Sequence, residues 1–320
     1  MRNLFQVMLI LSVIQMTYAT EQFDDWYNRN HFRMKLYDVT KEESMLAYAE
    51  NSAYVNKFNS EPHSYKLSMD GPWAGMPKQK FLSLFPKRRN ITSNIRARIE
   101  NKRFLSYQYL PDSIDYRSQM SPVRDQSSCG GCYSFGSVGA IEGRLNIIKN
   151  YKFDLSEQQI IDCTISYGNN GCNGGIVYNV YDYLMDGNYL SYEYDYPFKA
   201  STGTCNKNVK AHVALYSYKS VRGKMQEALL RGPLDMALYV VSSFQLYGSG
   251  YYDEHDCKTD PDDMNHEMVA VGYGYNNNRL YYIIRNSWSS SWGMDGYAYI
   301  YEGVCGVDCD PVEPSELGLY

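Results

Sequence analysis

Every cysteine in this chain lies beyond residue 128: Cys129, Cys132, Cys163, Cys172, Cys205, Cys257, Cys305 and Cys309. Eight cysteines constrain the fold strongly, because each bridge would tie distant segments together, although arithmetic alone leaves the pairing open. The stretch "DQSSCGGCYSFGSVGA", residues 125–140, sets Cys129 and Cys132 three positions apart in a glycine-rich turn that enters a helical pattern. Such a pair can be a metal clip, a redox pair, or one structural cysteine beside one nucleophile.

The compartment narrows the choice. The N-terminus, "MRNLFQVMLILSVIQMTYAT", has one Arg, an apolar run from Leu4 to Met16, and the small residues Thr17 and Ala19. This is the pattern of a secretory signal cut after Ala19, too short to span a bilayer. Residues 1–19 are expected to be a signal peptide. The remainder belongs to the secretory pathway, in a lysosome-like compartment or outside the cell, where disulfides persist. No later segment reads as a membrane helix. The net charge is −5 and no basic stripe is interleaved with aromatics, which argues against nucleic acid. The 33 tyrosines suit contact with peptides or glycans, and equally a lineage bias.

Residues 20–107 carry no cysteine. They hold the charged, helical-looking stretch "DDWYNRNHFRMKLYDVTKEESMLAYAENSAYVNKF", the basic run "PKRRN" and the sequon Asn90-Ile91-Thr92. A cysteine-free helical leader before a cysteine-rich body predicts a pro-segment, with an independent helical domain as the alternative. In the body, residues 108–320, Tyr133, Phe135, Val138, Ile141, Leu145 and Ile148 recur at helical spacing until Asn150. Ser156 and Gln159 form a capping-box pattern opening a second helix. "VYNVYDYLMDG" reads as a third. "HEMVAVGYGY" and "LYYIIRNSW" read as strands joined by an "NNN" turn. A helical first half and a strand-rich second half predict an α+β fold of two lobes with a cleft between them.

The chemistry must sit in that body. A zinc site needs four ligands; Cys305 and Cys309 could complete a tetrad, but a secreted chain with four further cysteines favours disulfides. A thioredoxin-like redox pair should follow a βαβ strand, and "SPVRDQSS" is loop-like. The nucleophile reading asks for more. Cys132 stands at a helix start, where unpaired N–H groups and the helix dipole favour thiolate. It needs a base, and the base an orienter. Of five histidines, His31 and His63 lie in the leader, and His212 and His255 in polar, loop-like stretches. His266 opens an apolar strand 134 residues after Cys132, and Asn286 follows twenty residues later at the end of the next strand.

Together "DQSSCGGCYSFG", "CNGG", "NHEMVAVGYG" and "NSWSSSWGMDGY" resemble the papain-like cysteine proteases, over residues 108 to 310 and more weakly in the leader. "SMDGPWAGM", "FQLYGSGYYD" and "CGVDCDP" look most like the amoebic cysteine proteinases within that family. The resemblance implies a papain-like fold with a helical left lobe, a β-barrel-like right lobe and an N-terminal helical pro-segment. It implies a cysteine endopeptidase made as a zymogen, acting on protein and peptide substrates, inhibited by its own pro-segment, and monomeric. No metal and no cofactor is expected.

The implied roles follow residue by residue. Cys132 is the nucleophile, paired with His266; Asn286 orients the imidazole and Trp288 shields that hydrogen bond. Gln126 and the Cys132 N–H form the oxyanion hole. Gly174 and Gly175 line the substrate backbone, and Trp292 the leaving-group side. The implied disulfides are Cys129–Cys172, Cys163–Cys205 and Cys257–Cys305, with Cys309 left over. Asp310 falls where the family places the base of the S2 pocket, implying a preference for basic P2 residues; the alternative is a solvated Asp beside a proline. Gly131, Tyr133, Ser289 and Asn265 depart from the commonest family residues without removing a catalytic group. Glu43 fits the inhibitory-helix motif, whose later positions fall out of register. The rivals are a catalytically silent papain-fold protein that binds peptides or surfaces, and a zinc-binding structural module.

Overall fold

The computed structural model describes residues 20–85 and 110–320. The expected signal peptide, the Asn90 sequon and the pro-segment boundary near residue 107 lie outside the described residues.

In the leader, residues 20–36 form helix α1 and Lys41–Ser60 form α2. Thr40 starts α2 with a capping box. Its hydroxyl accepts from the Glu43 N–H at 3.1 Å, and the Glu43 carboxylate accepts from the Thr40 N–H at 2.9 Å. Glu43, which the family likeness reads as an inhibitory-helix residue, thus closes the helix start locally. Strand β1 (Tyr65–Leu67) and helix α3 (Lys78–Ser83) follow. Among the described residues the leader builds no core of its own. Trp26, Trp73 and Phe81 are buried in the same cluster as Phe244, Trp288 and Trp292 of the strand-rich half.

The body opens with the short strand β2 (Ile114–Asp115), then helices α4 (Cys132–Lys149), α5 (Glu157–Cys163) and α6 (Val177–Met185). α4 is buried from Tyr133 through Asn146, on every face. A wholly buried helix has no polar stripe, so the apolar spacing seen in the sequence marks only part of what it hides. Gly136, Gly139 and Gly143 lie on one face and let the helix approach the sheet closely. A Cβ at Gly139 would stand 2.9 Å from Val269 Cγ2, and one at Gly143 2.6 Å from Pro233 Cγ. Asn150, in the left-handed conformation at φ 49°, ends the helix. Only half of the expected capping box forms on α5. The Ser156 hydroxyl accepts from the Gln159 N–H at 3.0 Å. The Gln159 side chain instead donates to Tyr189 O at 2.8 Å and accepts from the Ser191 N–H at 2.7 Å.

The strands are β3 (Val213–Ser220), β4 (Leu234–Leu238), β5 (Tyr247–Tyr252), β6 (His266–Asn276), β7 (Arg279–Arg285), β8 (Tyr297–Tyr301) and β9 (Val312–Leu319). They form one sheet in the order β1-β5-β8-β7-β6-β4-β9-β3, with β2 beside β6. The barrel-like expectation needs correction here: the sheet is open. β3 stays one edge and the leader's β1 is the other. The β6–β7 hairpin turns on Asn277 and Asn278, both at positive φ (50° and 61°), as a tight two-residue turn requires.

Candidate active site

Disulfides shape the ground around Cys132. Cys129 is bonded to Cys172, Cys163 to Cys205 and Cys257 to Cys305. Cys132 and Cys309 are in no disulfide. Cys129 and Cys305 are thus unavailable to a zinc tetrad, and no cluster of three or more metal-ligating side chains occurs among the described residues. Cys309 is buried against Ala237 and Met264.

Cys132 is the first residue of α4, so its backbone N–H is one of those the helix leaves without an internal partner. α4 packs closely on β6, the strand that His266 opens. His266 Nε2 donates to Asn286 Oδ1 at 2.9 Å. Asn286 Oδ1 also accepts from the Ser287 N–H at 2.8 Å, which orients the amide oxygen towards the ring. Among the described residues His266 Nδ1 has no hydrogen-bond partner. The Trp288 ring stacks on the imidazole, centroids 4.9 Å apart at 28°. Phe85 of the leader meets the imidazole edge-on at 5.3 Å. His266 is 1% exposed, and this burial pushes its pKa down to about 4 even though the bond to Asn286 raises it.

Gln126 is held on three sides. Its N–H donates to Ser287 O at 2.8 Å, its Oε1 accepts from the Ser287 hydroxyl at 2.6 Å, and its Nε2 donates to Cys129 O at 3.0 Å. A carboxamide has two N–H groups, so a second donor remains. Ser287 therefore fixes both Gln126 and Asn286. The sequence reading missed it, although it sits inside the quoted "NSW". Gly174 has φ 101°, and a Cβ there would meet nothing within 4 Å, so the backbone strip is bare and left-handed. At Gly175 a Cβ would lie 2.6 Å from Asn169 Oδ1. Trp292 is fully buried, edge-to-face with Trp288 at 5.2 Å, and donates to Phe244 O. Asp310 is buried at 7% exposure and its Oδ1 accepts from the Tyr178 hydroxyl at 2.6 Å, a contact from α6 that the sequence did not signal.

The departures are accommodated locally. Tyr133 donates its hydroxyl to Gly171 O at 3.1 Å. Asn265 accepts from the Val240 N–H at 2.8 Å. Ser289 adopts φ 73°, a conformation that glycine takes at lower cost.

Residues 110–315 match the family model described as papain family cysteine protease. Cysteine proteinase 2 of Entamoeba histolytica is 38% identical over 307 residues, covering 92% of this chain and 94% of that protein. Mouse pro-cathepsin H is 30% identical over 89% of this chain and 87% of its own length. The solved digestive procathepsin L 3 of Tenebrio molitor superposes with TM-score 0.79 at 27% identity, covering 93% of this chain and 99% of that one. With these likenesses and this geometry together, the chain belongs to the papain family of cysteine proteases.

Proposed function

We propose that the chain is a zymogen whose mature form is an endopeptidase acting through a Cys132 thiolate and a His266 imidazolium. The carrying observation is the Asn286–His266 bond under the Trp288 ring, because it leaves Nδ1 as the ring nitrogen for the thiol. The helix start stabilises the thiolate. Cys132 Sγ attacks the scissile carbonyl and a C–S bond forms. The negative charge moves to the carbonyl oxygen, where the Cys132 N–H and the second Gln126 amide hydrogen bind it; one such donor is worth about 2.7–4 kcal/mol. His266 Nδ1–H protonates the leaving amine as the C–N bond breaks. Water, deprotonated by His266, then cleaves the acyl-enzyme and restores the thiolate.

Gly174 and Gly175 bind the extended substrate backbone, and Trp292 backs the leaving-group side through Trp288. Asp310, oriented by Tyr178, favours Arg or Lys at P2 by charge-assisted pairing. The leader is the inhibitor in place, with Phe85 over the imidazole. The signal pattern, the disulfides and the zymogen form suit a lysosome-like or extracellular site. The test is labelling with an epoxide thiol reagent after acid activation, followed by peptide mapping. Labelling of Cys132 alone, abolished by His266→Ala, is expected. No labelling, or equal labelling of Cys309, would give the silent-homologue reading the lead.

A further inference from the structure

The leader extends the sheet of the body. β1 is the outermost strand and pairs antiparallel with β5, Tyr65 opposite Gly250 and Lys66 opposite Ser249. The Tyr251 N–H donates to Ser64 O and the Ser68 N–H to Leu246 O, each at 2.8 Å. The Ser64 hydroxyl also donates to Tyr251 O at 2.8 Å. Once the leader departs, β5 is an edge strand with a row of unpaired backbone groups.

β5 is shaped for an incoming backbone. A Cβ at Gly248 would lie 2.8 Å from Ser68 Cβ, and one at Gly250 2.6 Å from Ser64 O. Side chains are read as well. Tyr65, 4% exposed, sits against Tyr252 at 4.9 Å and Tyr247 at 6.5 Å. Leu67, two residues on, is 3% exposed, while Lys66 between them faces solvent. Tyr247 joins the aromatic series Trp292, Trp288 and His266 through centroids 5.5, 5.2 and 4.9 Å apart. The β5 edge is therefore joined to His266 through one continuous aromatic series.

We infer that the β5 edge is a second peptide-binding site of the activated protease. The departing leader vacates it, and an extended segment of a protein substrate takes it, bearing an aromatic residue, any residue, then an aliphatic one. This rests on the zymogen reading. Backbone hydrogen bonds supply affinity and the alternate side chains supply specificity. A substrate tethered there is presented to Cys132 at raised effective concentration.

The probe is a fluorescent peptide of residues 60–71, titrated by anisotropy into acid-activated enzyme whose thiol has been blocked with an epoxide. Saturable binding is expected to the activated enzyme and none to the zymogen, whose edge is occupied. Tyr65→Ala in the peptide, or Gly248→Val in the enzyme, should weaken binding at least about tenfold, the loss of one well-packed anchor. Unlabelled probe should inhibit cleavage of an unfolded carrier bearing the same segment, by raising KM, and leave hydrolysis of a dipeptide substrate unchanged. No binding, equal binding of the Tyr65→Ala peptide, or a leader fragment co-purifying with the activated enzyme would overturn the inference. If Gly248→Val fails to fold, the peptide variant decides. Absence of epoxide labelling would instead sink the protease reading, since probe binding is read without catalysis.

Discussion

Phe85 stands edge-on to the imidazole of His266, ring centroids 5.3 Å apart at 76°. Trp288 covers one face of the same ring, and Trp288 in turn packs edge-on against Trp73 and Phe81 of the leader. The leader contact is thus part of an aromatic enclosure that takes the imidazole out of water. A buried imidazole without a counter-charge is held neutral, and a neutral imidazole forms no ion pair with a thiolate.

This enclosure predicts an acid trigger. The His266 pKa is lowered to about 4 by burial, against a reference of 6.5. A lowered histidine pKa means that the open form binds more protons, so closure weakens as pH falls from about 6.5 and the loss is complete near 4. The full effect is on the order of 3 kcal/mol. Activation rates measured from pH 7 to 4 should climb across that window. Phe85→Ala should move the midpoint upward; an unchanged midpoint would refute the enclosure argument.

Removing the base should cost more than removing its orienter. His266→Ala is expected to lower kcat by about 10²–10⁴-fold, the usual worth of a general acid–base group. Asn286→Ala should lower it less, because the ring keeps its stacking on Trp288. Steady-state kinetics with one dipeptide substrate, alongside KM, would separate the two.

Gln126→Ala should reduce kcat about 10²–10³-fold with KM nearly constant, since the oxyanion forms only in the transition state. Ser287→Ala removes the 2.6 Å bond that orients Gln126 and should give a smaller loss in the same direction. A Ser287→Ala enzyme slower than Gln126→Ala would contradict this assignment.

Asp310→Asn should erode any preference for Arg over Leu at P2 by about tenfold or more, as a charge-assisted pair becomes a neutral one. A P2 substrate library on the activated enzyme reads this directly. An unchanged ratio would mean that Asp310 serves only the Tyr178 bond.

In β9, Glu313 is 1% exposed and gathers Arg144, Arg231 and Lys219. Burial pushes its carboxyl up, but the Arg231 bonds and the neighbouring cations outweigh that and hold it below the usual range. Glu313→Ala leaves Arg144 buried without its carboxylate and should cost about 3–5 kcal/mol. Urea denaturation of the zymogen would show it.

Much of this protein could be read before folding was considered. α4 was legible because Tyr133, Val138, Ile141 and Leu145 recur at a helical period, and Asn150 marks its end. The β6–β7 hairpin was legible because its two strands flank asparagines that tolerate positive φ. Cys132, His266 and Asn286 emerged from their order and spacing, sharpened by the family motifs. The structure joins His266 to Asn286 across two neighbouring strands. The reading faltered where a side chain had two possible partners. Gln159 matched a local cap, yet it bonds Tyr189 and Ser191, residues about thirty positions away.

The sequence by itself determined much of the local structure, through periodicity and turns, and named the candidate reactive groups Cys132, His266 and Asn286. These depend on hydrogen bonds and torsions within a few residues, or on motifs held in short stretches. Tertiary structure alone decided what surrounds those groups. It set Phe85 on His266, Ser287 on Gln126, Tyr178 on Asp310, and the leader strand on an open sheet. Each is a contact across more than a hundred residues, chosen by which buried surfaces fit together, and short-range pattern carries no record of that fit.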